Sequence, residues 1–171
     1  MNSYRFLLLI IFITSCEKDD ICPESTQTTP QLIITFYDAT AVEQSKTVES
    51  LAVYAEKNSE LILIENINGI NTDSIAIPLR NDIGLSNFKF IKNYSIENDV
   101  IFGDSNHIYI DYEINDVFAS RACGFIANYS ITTLLNYDTL ADPPTTGWIT
   151  GYEIVNSTVT NENQSHVKIL H

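Results

Sequence analysis

Apolar and polar residues alternate along most of the chain after Pro30, with the period of two that is typical of β-strands. The clearest stretch is 107–114, in which one face carries Ile108, Ile110, Tyr112 and Ile114. Residues 123–132 repeat the pattern, with one shared face formed by Cys123, Phe125, Ala127, Tyr129 and Ile131. These stretches predict strands that bury one side against a core.

The whole pattern predicts an all-β fold of about nine strands, separated by turn signals. The predicted strands lie at 32–37, 51–55, 61–64, 74–79, 88–90, 107–114, 123–132, 152–159 and 166–170. The one helical candidate, Val42–Ser50, is short and polar. We therefore expect a single antiparallel β-sandwich over residues 31–171, with immunoglobulin-like topology as one option and a small closed barrel as the alternative.

The first sixteen residues have the pattern of a secretory signal. Arg5 precedes the uninterrupted apolar run Phe6–Ile13, which is far shorter than the roughly 20 residues of a membrane-spanning helix. The run leads into Ile13-Thr14-Ser15-Cys16, which resembles a bacterial lipobox. We expect residues 1–15 to be a lipoprotein signal peptide and Cys16 to carry the acyl chains, including palmitate, that make the membrane a partner of the chain.

Residues 16–30 are expected to be a polar, lipidated tether. Within it, Lys18-Asp19-Asp20 resembles the surface-export signal of Bacteroidota lipoproteins, and a plain solvated linker is the alternative. The expected location is the outer membrane of the cell envelope, with the periplasmic and the exterior side both left open.

Charge narrows the choice of partners. The chain has 22 acidic and 9 basic residues and a formal net charge of −13. Nucleic-acid binding is not expected, because counterion release needs clustered Lys and Arg. An acidic surface is also not held to an anionic membrane, so the lipid on Cys16 must supply the attachment.

Two cysteines remain once Cys16 is acylated, namely Cys22 and Cys123. A signal peptide places both outside the cytoplasm, where thiols oxidise and disulfides persist. Cys123 shares a strand face with Ala127, which suggests an inward position. We predict that Cys22 and Cys123 form a disulfide that ties the tether to the domain.

Few residues have the spacing that catalysis or metal binding requires, so no catalytic residue, metal site or cofactor is predicted. His107, His166 and His171 are interpreted as exposed surface residues. Asp111 and Glu113 share a strand face at a spacing compatible with glycoside chemistry, but exposed strand faces produce such pairs routinely. Trp148 follows the loop 142–147 and is either a ligand-binding surface or, the preferred interpretation, part of the core or a lid.

Several segments together resemble a family of uncharacterised Bacteroidota lipoproteins, classed as a domain of unknown function. They are Cys16 with Lys18-Asp19-Asp20, Cys22-Pro23-Glu24, Leu32–Asp38, Asp73–Leu79, Ser120–Phe125 and His166–Ile169. The resemblance runs from the lipobox to the last strand and implies no activity, cofactor or catalytic residue. We expect a non-enzymatic accessory or ligand-binding envelope component. The alternatives are a glycan-binding or glycan-processing surface protein and an assembly subunit that offers an edge strand to a partner.

Overall fold

The computed structural model of the chain describes residues 21–138 and 147–171, together with the backbone of 139 and 140. The predicted signal peptide 1–15, the lipidation site Cys16, the start of the tether and the loop 141–146 lie outside the described residues. The chain forms two compact units. Unit 1 consists of the described residues up to Thr28 together with Asp116–Ile126, and unit 2 consists of Thr29–Asn115 together with Ala127–His171.

The described residues form eleven strands and one helical turn. Their bounds are β1 Leu32–Tyr37, β2 Val48–Lys57, β3 Glu60–Leu63, β4 Ile70–Thr72, β5 Ser74–Ile77, β6 Leu85–Glu97, β7 Val100–Ser120, β8 Gly124–Asn136, α1 Tyr137–Leu140, β9 Gly151–Ile154, β10 Thr158–Val159 and β11 Val167–Leu170. In the described part of the chain, no helix is both long and apolar enough to cross a membrane.

The strands make two sheets that pack against each other, which confirms the predicted β-sandwich. A four-stranded sheet has the order β5-β1-β11-β9, and its central pair β1–β11 is parallel. A seven-stranded sheet has the order β10-β8-β7-β6-β2-β3, with β4 added to β2. The order differs from that of an immunoglobulin domain, in which one sheet holds strands A, B, E and D. The two sheets are separate and do not close into a barrel.

The core of unit 2 lies between the sheets and is built by the alternation visible in the sequence. From the four-stranded sheet come Leu32, Ile34, Phe36, Ile75, Ile77, Val167 and Ile169. From the seven-stranded sheet come Val53, Phe88, Phe90, Ile108, Ile110, Tyr112, Ala127, Tyr129, Ile131 and Leu134. Their neighbours along each strand are half-buried or exposed, as a period of two requires.

A smaller apolar cluster covers part of the other face of β2 and β6. It contains Ala52, Tyr54, Ile91 and Tyr94, with Leu63 of β3 packed beside it. The Tyr54 and Tyr94 hydroxyls are 2.8 Å apart and hydrogen-bonded. Burial and this hydrogen bond raise the pKa of Tyr54 to about 12. Strand β2 is therefore apolar on both faces because one face packs in the core between the sheets and the other packs in this smaller cluster.

Two local predictions are wrong, and the one helical candidate does not form a helix. Residues 152–159 do not form one strand, because a break at 155–157 sends β9 to one sheet and β10 to the other. Val42–Ser50 is not helical, and its last residues begin β2. Phe125 does not face the core and is 68% exposed. By contrast, the placement of 74–79 at a sheet edge is confirmed, since β5 ends directly before Pro78.

Candidate functional site

The predicted disulfide is present. Cys22 and Cys123 are bonded with their Cα atoms 4.9 Å apart, although 101 positions separate them in the sequence. Cys123 lies in the turn between β7 and β8, where its backbone N–H donates to the Ser120 hydroxyl, and not on the strand face that alternation suggests. The bridge thus joins the segment after Cys16 to the end of a long β-hairpin within unit 1.

The same hairpin end displays large apolar side chains to solvent. Phe118 is 57% exposed, Phe125 is 68% exposed, and Val117 is 42% exposed. The two phenylalanine rings pack edge to face with their centroids 5.4 Å apart. We call Phe118 and Phe125 the aromatic tip. Exposed apolar groups that lie together in this way mark interaction surfaces more often than singly scattered ones do.

A second candidate lies in unit 2, beside the edge strand β3. An apolar cleft of about 170 Å³ opens there between β2, β3, β6 and the segment that follows β5. We call it the edge cleft, and its apolar lining is Ala55, Ile62, Pro78, Leu79 and Phe88. Ile62 and the adjacent Leu61 are about half-exposed on β3, which ends the seven-stranded sheet. An edge strand beside an apolar cleft can accept an added strand whose side chains enter the cleft.

Charged side chains also line the edge cleft. Arg80 donates from Nε and Nη2 to the Asp82 carboxylate at 2.9 and 2.6 Å. This pairing raises the pKa of Arg80 and lowers that of Asp82 to about 2, so both remain charged at neutral pH. The lining of the edge cleft also contains a second cation, Lys57, and a carboxylate, Glu56. The lining therefore combines an apolar centre with charged side chains.

A polar cluster in unit 2 holds His107, which is half-buried and not simply exposed as predicted. Asp138 accepts the backbone N–H of His107 at 2.6 Å and lies 3.4 Å from its Nδ1 atom. The buried Asn106 donates to Asn136 and Asp138 and accepts the N–H of Ile149. No Ser, Thr or Cys among the described residues hydrogen-bonds to the His107 ring. The described part of the cluster thus positions a histidine beside a carboxylate and two asparagines.

The prediction that His166 and His171 are surface residues is wrong, because both are buried. His166 accepts the backbone N–H of Ile33 through Nδ1 at 3.0 Å, and the His171 Nε2 atom lies 3.3 Å from the Lys46 carbonyl. Burial lowers the pKa of both rings below the ordinary histidine value. A neutral imidazole that bonds to backbone in this way supports the fold and is not available for catalysis.

Trp148 packs against the core of unit 2 and is half-buried. Its ring lies 5.5 Å from that of His171 and 6.2 Å from that of Phe36, centroid to centroid, and Lys92 Nζ lies 5.8 Å above it. These contacts agree with the preferred interpretation as a core or lid residue and leave little of the ring free for a flat ligand.

The carboxylates Asp111 and Glu113 lie on β7, half-buried and exposed respectively. Across the described part of the chain, no three His, Cys, Asp or Glu side chains come together as metal ligands would. The two carboxylates occupy the polar face of their strand, opposite the buried Ile110 and Tyr112.

Comparison with known proteins identifies the family to which the chain belongs. The model of a family of unknown function, DUF6452, matches residues 50–171, which span β2 of the sandwich through β11. No curated protein and no solved structure matches the chain. Since the family model covers more than half of the residues, the chain belongs to the family of unknown function DUF6452.

Proposed function

We propose that this protein is a Bacteroidota-type lipoprotein of the outer membrane, anchored through lipid on Cys16 and acting as a non-enzymatic accessory component of the envelope. The observation that carries the proposal is the disulfide between Cys22 and Cys123. Disulfides persist in oxidising compartments outside the cytoplasm and are rare inside it. The bridge therefore supports export, and export agrees with the apolar run and the lipobox-like segment that precede it.

Fractionation of cells tests the anchor, and the chain supplies its own matched control. We expect Cys16→Ser to move the protein from the membrane fraction to the soluble one and to abolish its labelling by palmitate. Cys22→Ser removes a cysteine six residues away and leaves the lipobox intact, so it should stay in the membrane fraction. A Cys16→Ser protein that remains membrane-bound in detergent-free lysates contradicts the proposal.

A more specific role as an assembly subunit is supported by the edge cleft. Strand β3 ends its sheet, and Leu61 and Ile62 stand exposed beside a cleft of suitable apolar lining. We take the occupant to be an extended segment of a partner protein, which would pair with the β3 backbone and insert an apolar side chain beside Ile62. The half-buried Trp148 lends no comparable support to a glycan-binding role, because its ring packs on Phe36 and His171.

Site-specific photo-crosslinking tests this role in cells that express the lipidated chain. Crosslinking residues placed at Glu60, Leu61, Ile62 and Leu63 should attach to successive residues of one partner segment, as strand pairing demands. The control is a crosslinker at Leu135, which is 38% exposed and belongs to β8, a strand that lies between β7 and β10 in the sheet order. Attachment scattered over unrelated segments, or equal attachment at Leu135, contradicts strand addition.

A further inference from the structure

We propose that the aromatic tip contacts the surface of the lipid bilayer that holds the protein. This inference rests on the proposed lipid anchor at Cys16. It concerns a surface of unit 1 made by Phe118 and Phe125, and its occupant is a lipid surface. Three observations lead to it: the position of the disulfide, the exposure of the rings and the distribution of charge.

The disulfide links the tip to the lipidated end of the chain. Cys22 lies six residues after Cys16, and a fully extended chain spans at most about 3.6 Å per residue. Cys22 can therefore lie no more than about 22 Å from an acylated Cys16. Cys123, which is bonded to Cys22, lies in the turn between the strands that carry Phe118 and Phe125. Without the bridge, about 100 residues of chain would separate the rings from the anchor.

The side chains at the tip are of the kind that enters a bilayer interface. Phe118 and Phe125 expose more than half of their surface, and their rings pack edge to face against each other. Ile21, beside Cys22, is 79% exposed. Such groups lose contact with water when they insert among the headgroups and upper acyl chains of a membrane. Through the disulfide, the turn between the two rings is tied to Cys22, which lies six residues from the proposed lipid anchor.

The charge distribution also favours a lipid surface. The chain has a net charge of −13, yet no Asp or Glu occurs between Asp116 and Asp138. The exposed Arg121 is the one charged residue within that interval. Its guanidinium can remain at the level of lipid phosphates while the rings lie deeper. The interval 117–137 thus carries one positive and no negative side chain, and the acidic residues in the described part of unit 1 are Asp116 and Glu24.

Fluorescence quenching by brominated lipids tests the contact in the full lipidated protein, reconstituted into phosphatidylcholine vesicles. The reporters are Phe118→Trp and Phe125→Trp, with the signal of native Trp148 subtracted from a parent sample. The control is Val100→Trp, because Val100 is similarly exposed, at 53%, at the start of β7 in unit 2. We expect the tip reporters to be quenched at least twofold more than the control.

A second comparison tests the role of the bridge. When Cys22→Ser and Cys123→Ser are combined with Phe125→Trp, the quenching of the reporter should fall toward that of the control. The intact mass of each sample reports whether Cys16 carries lipid. If Cys16 carries lipid but the tip reporters are not quenched, this inference is wrong and the proposed anchor stands. Equal quenching of Val100→Trp and of the tip reporters also contradicts this inference alone. A chain without lipid on Cys16 overturns the proposed anchor and this inference together.

Discussion

The Nδ1 atom of His166 accepts a hydrogen bond from the backbone N–H of Ile33 at 3.0 Å. The two residues are 133 positions apart, and the bond joins the residue before β11 to the strand β1, with which β11 pairs in parallel. His166 also donates its own backbone N–H to the Ile33 carbonyl at 2.9 Å. The bond to Nδ1 requires a neutral ring tautomer, because Nδ1 must keep a lone pair to accept the N–H.

This arrangement predicts a fall in stability below neutral pH. Burial lowers the pKa of His166 and of His171 in the folded state, whereas both rings titrate near pH 6.5 in the unfolded chain. The unfolded state therefore binds more protons as the pH falls through 6.5, so the free energy of unfolding decreases there. Urea denaturation measures the free energy of unfolding at pH 7.5 and at pH 5.5. Between these two values the wild-type protein should lose more of that free energy than the double variant His166→Gln/His171→Gln. Equal losses would show that the two rings do not contribute.

Gly147 is required by the close approach of Asn106. A Cβ atom at position 147 would overlap the Asn106 side-chain amide, which is buried and holds the N–H of Ile149. We expect Gly147→Ala to destabilise the protein by about 1–3 kcal/mol, since the amide must move and its hydrogen bonds weaken.

Gly151→Ala is the matched control for that substitution. Its Cβ would meet Leu170 at 3.4 Å, an ordinary contact, so a change within about 0.5 kcal/mol is expected. Thermal or urea unfolding of both variants measures the difference. A Gly147→Ala protein as stable as Gly151→Ala would mean that the Asn106 cluster adjusts without loss.

Removal of the disulfide should lower the stability of the chain. The bridge closes a loop of about 100 residues, for which bridges of this class contribute about 2–5 kcal/mol by restricting the unfolded state. Cys22→Ser, Cys123→Ser and the double variant should lose the same amount, because each abolishes the same bond. Urea unfolding under non-reducing conditions measures the three values. A double variant that loses the sum of the single losses would show that the cysteines act separately.

Much of the sandwich could be predicted from alternation, and its exceptions have physical causes. Ile108, Ile110 and Tyr112 follow the period of two and face the core as expected. Phe125 obeys the same period but is exposed, because alternation identifies one face of a strand and not whether another layer covers that face. His166 has a polar side chain and is therefore expected at the surface. Its ring is buried because it accepts a hydrogen bond from a residue 133 positions away, and no local sequence pattern reveals such a partner.

Of the candidate sites, some could be predicted from the sequence and others could not. The disulfide could be predicted, since the expected acylation of Cys16 would leave two thiols in the oxidising compartment to which the signal peptide points. The edge cleft could not be predicted, because it depends on the proximity of Ile62, Leu79 and Phe88 from separate parts of the chain.

The sequence also carries a signal for two hairpin turns. The turns Asn58-Ser59 and Asn98-Asp99 place both of their residues at positive φ. Asn tolerates that conformation, which is typical of two-residue hairpin loops.

The central claim, that the chain is lipidated at Cys16 and bridged between Cys22 and Cys123, is tested most directly by counting thiols in the mature protein by intact mass. Purified from the membrane fraction and treated with an alkylating reagent under denaturing conditions, the protein should gain no alkyl group without reduction and two after reduction. Its mass should also match a chain that begins at an acylated Cys16. Three alkylated thiols after reduction would contradict the anchor, and two without reduction would contradict the bridge.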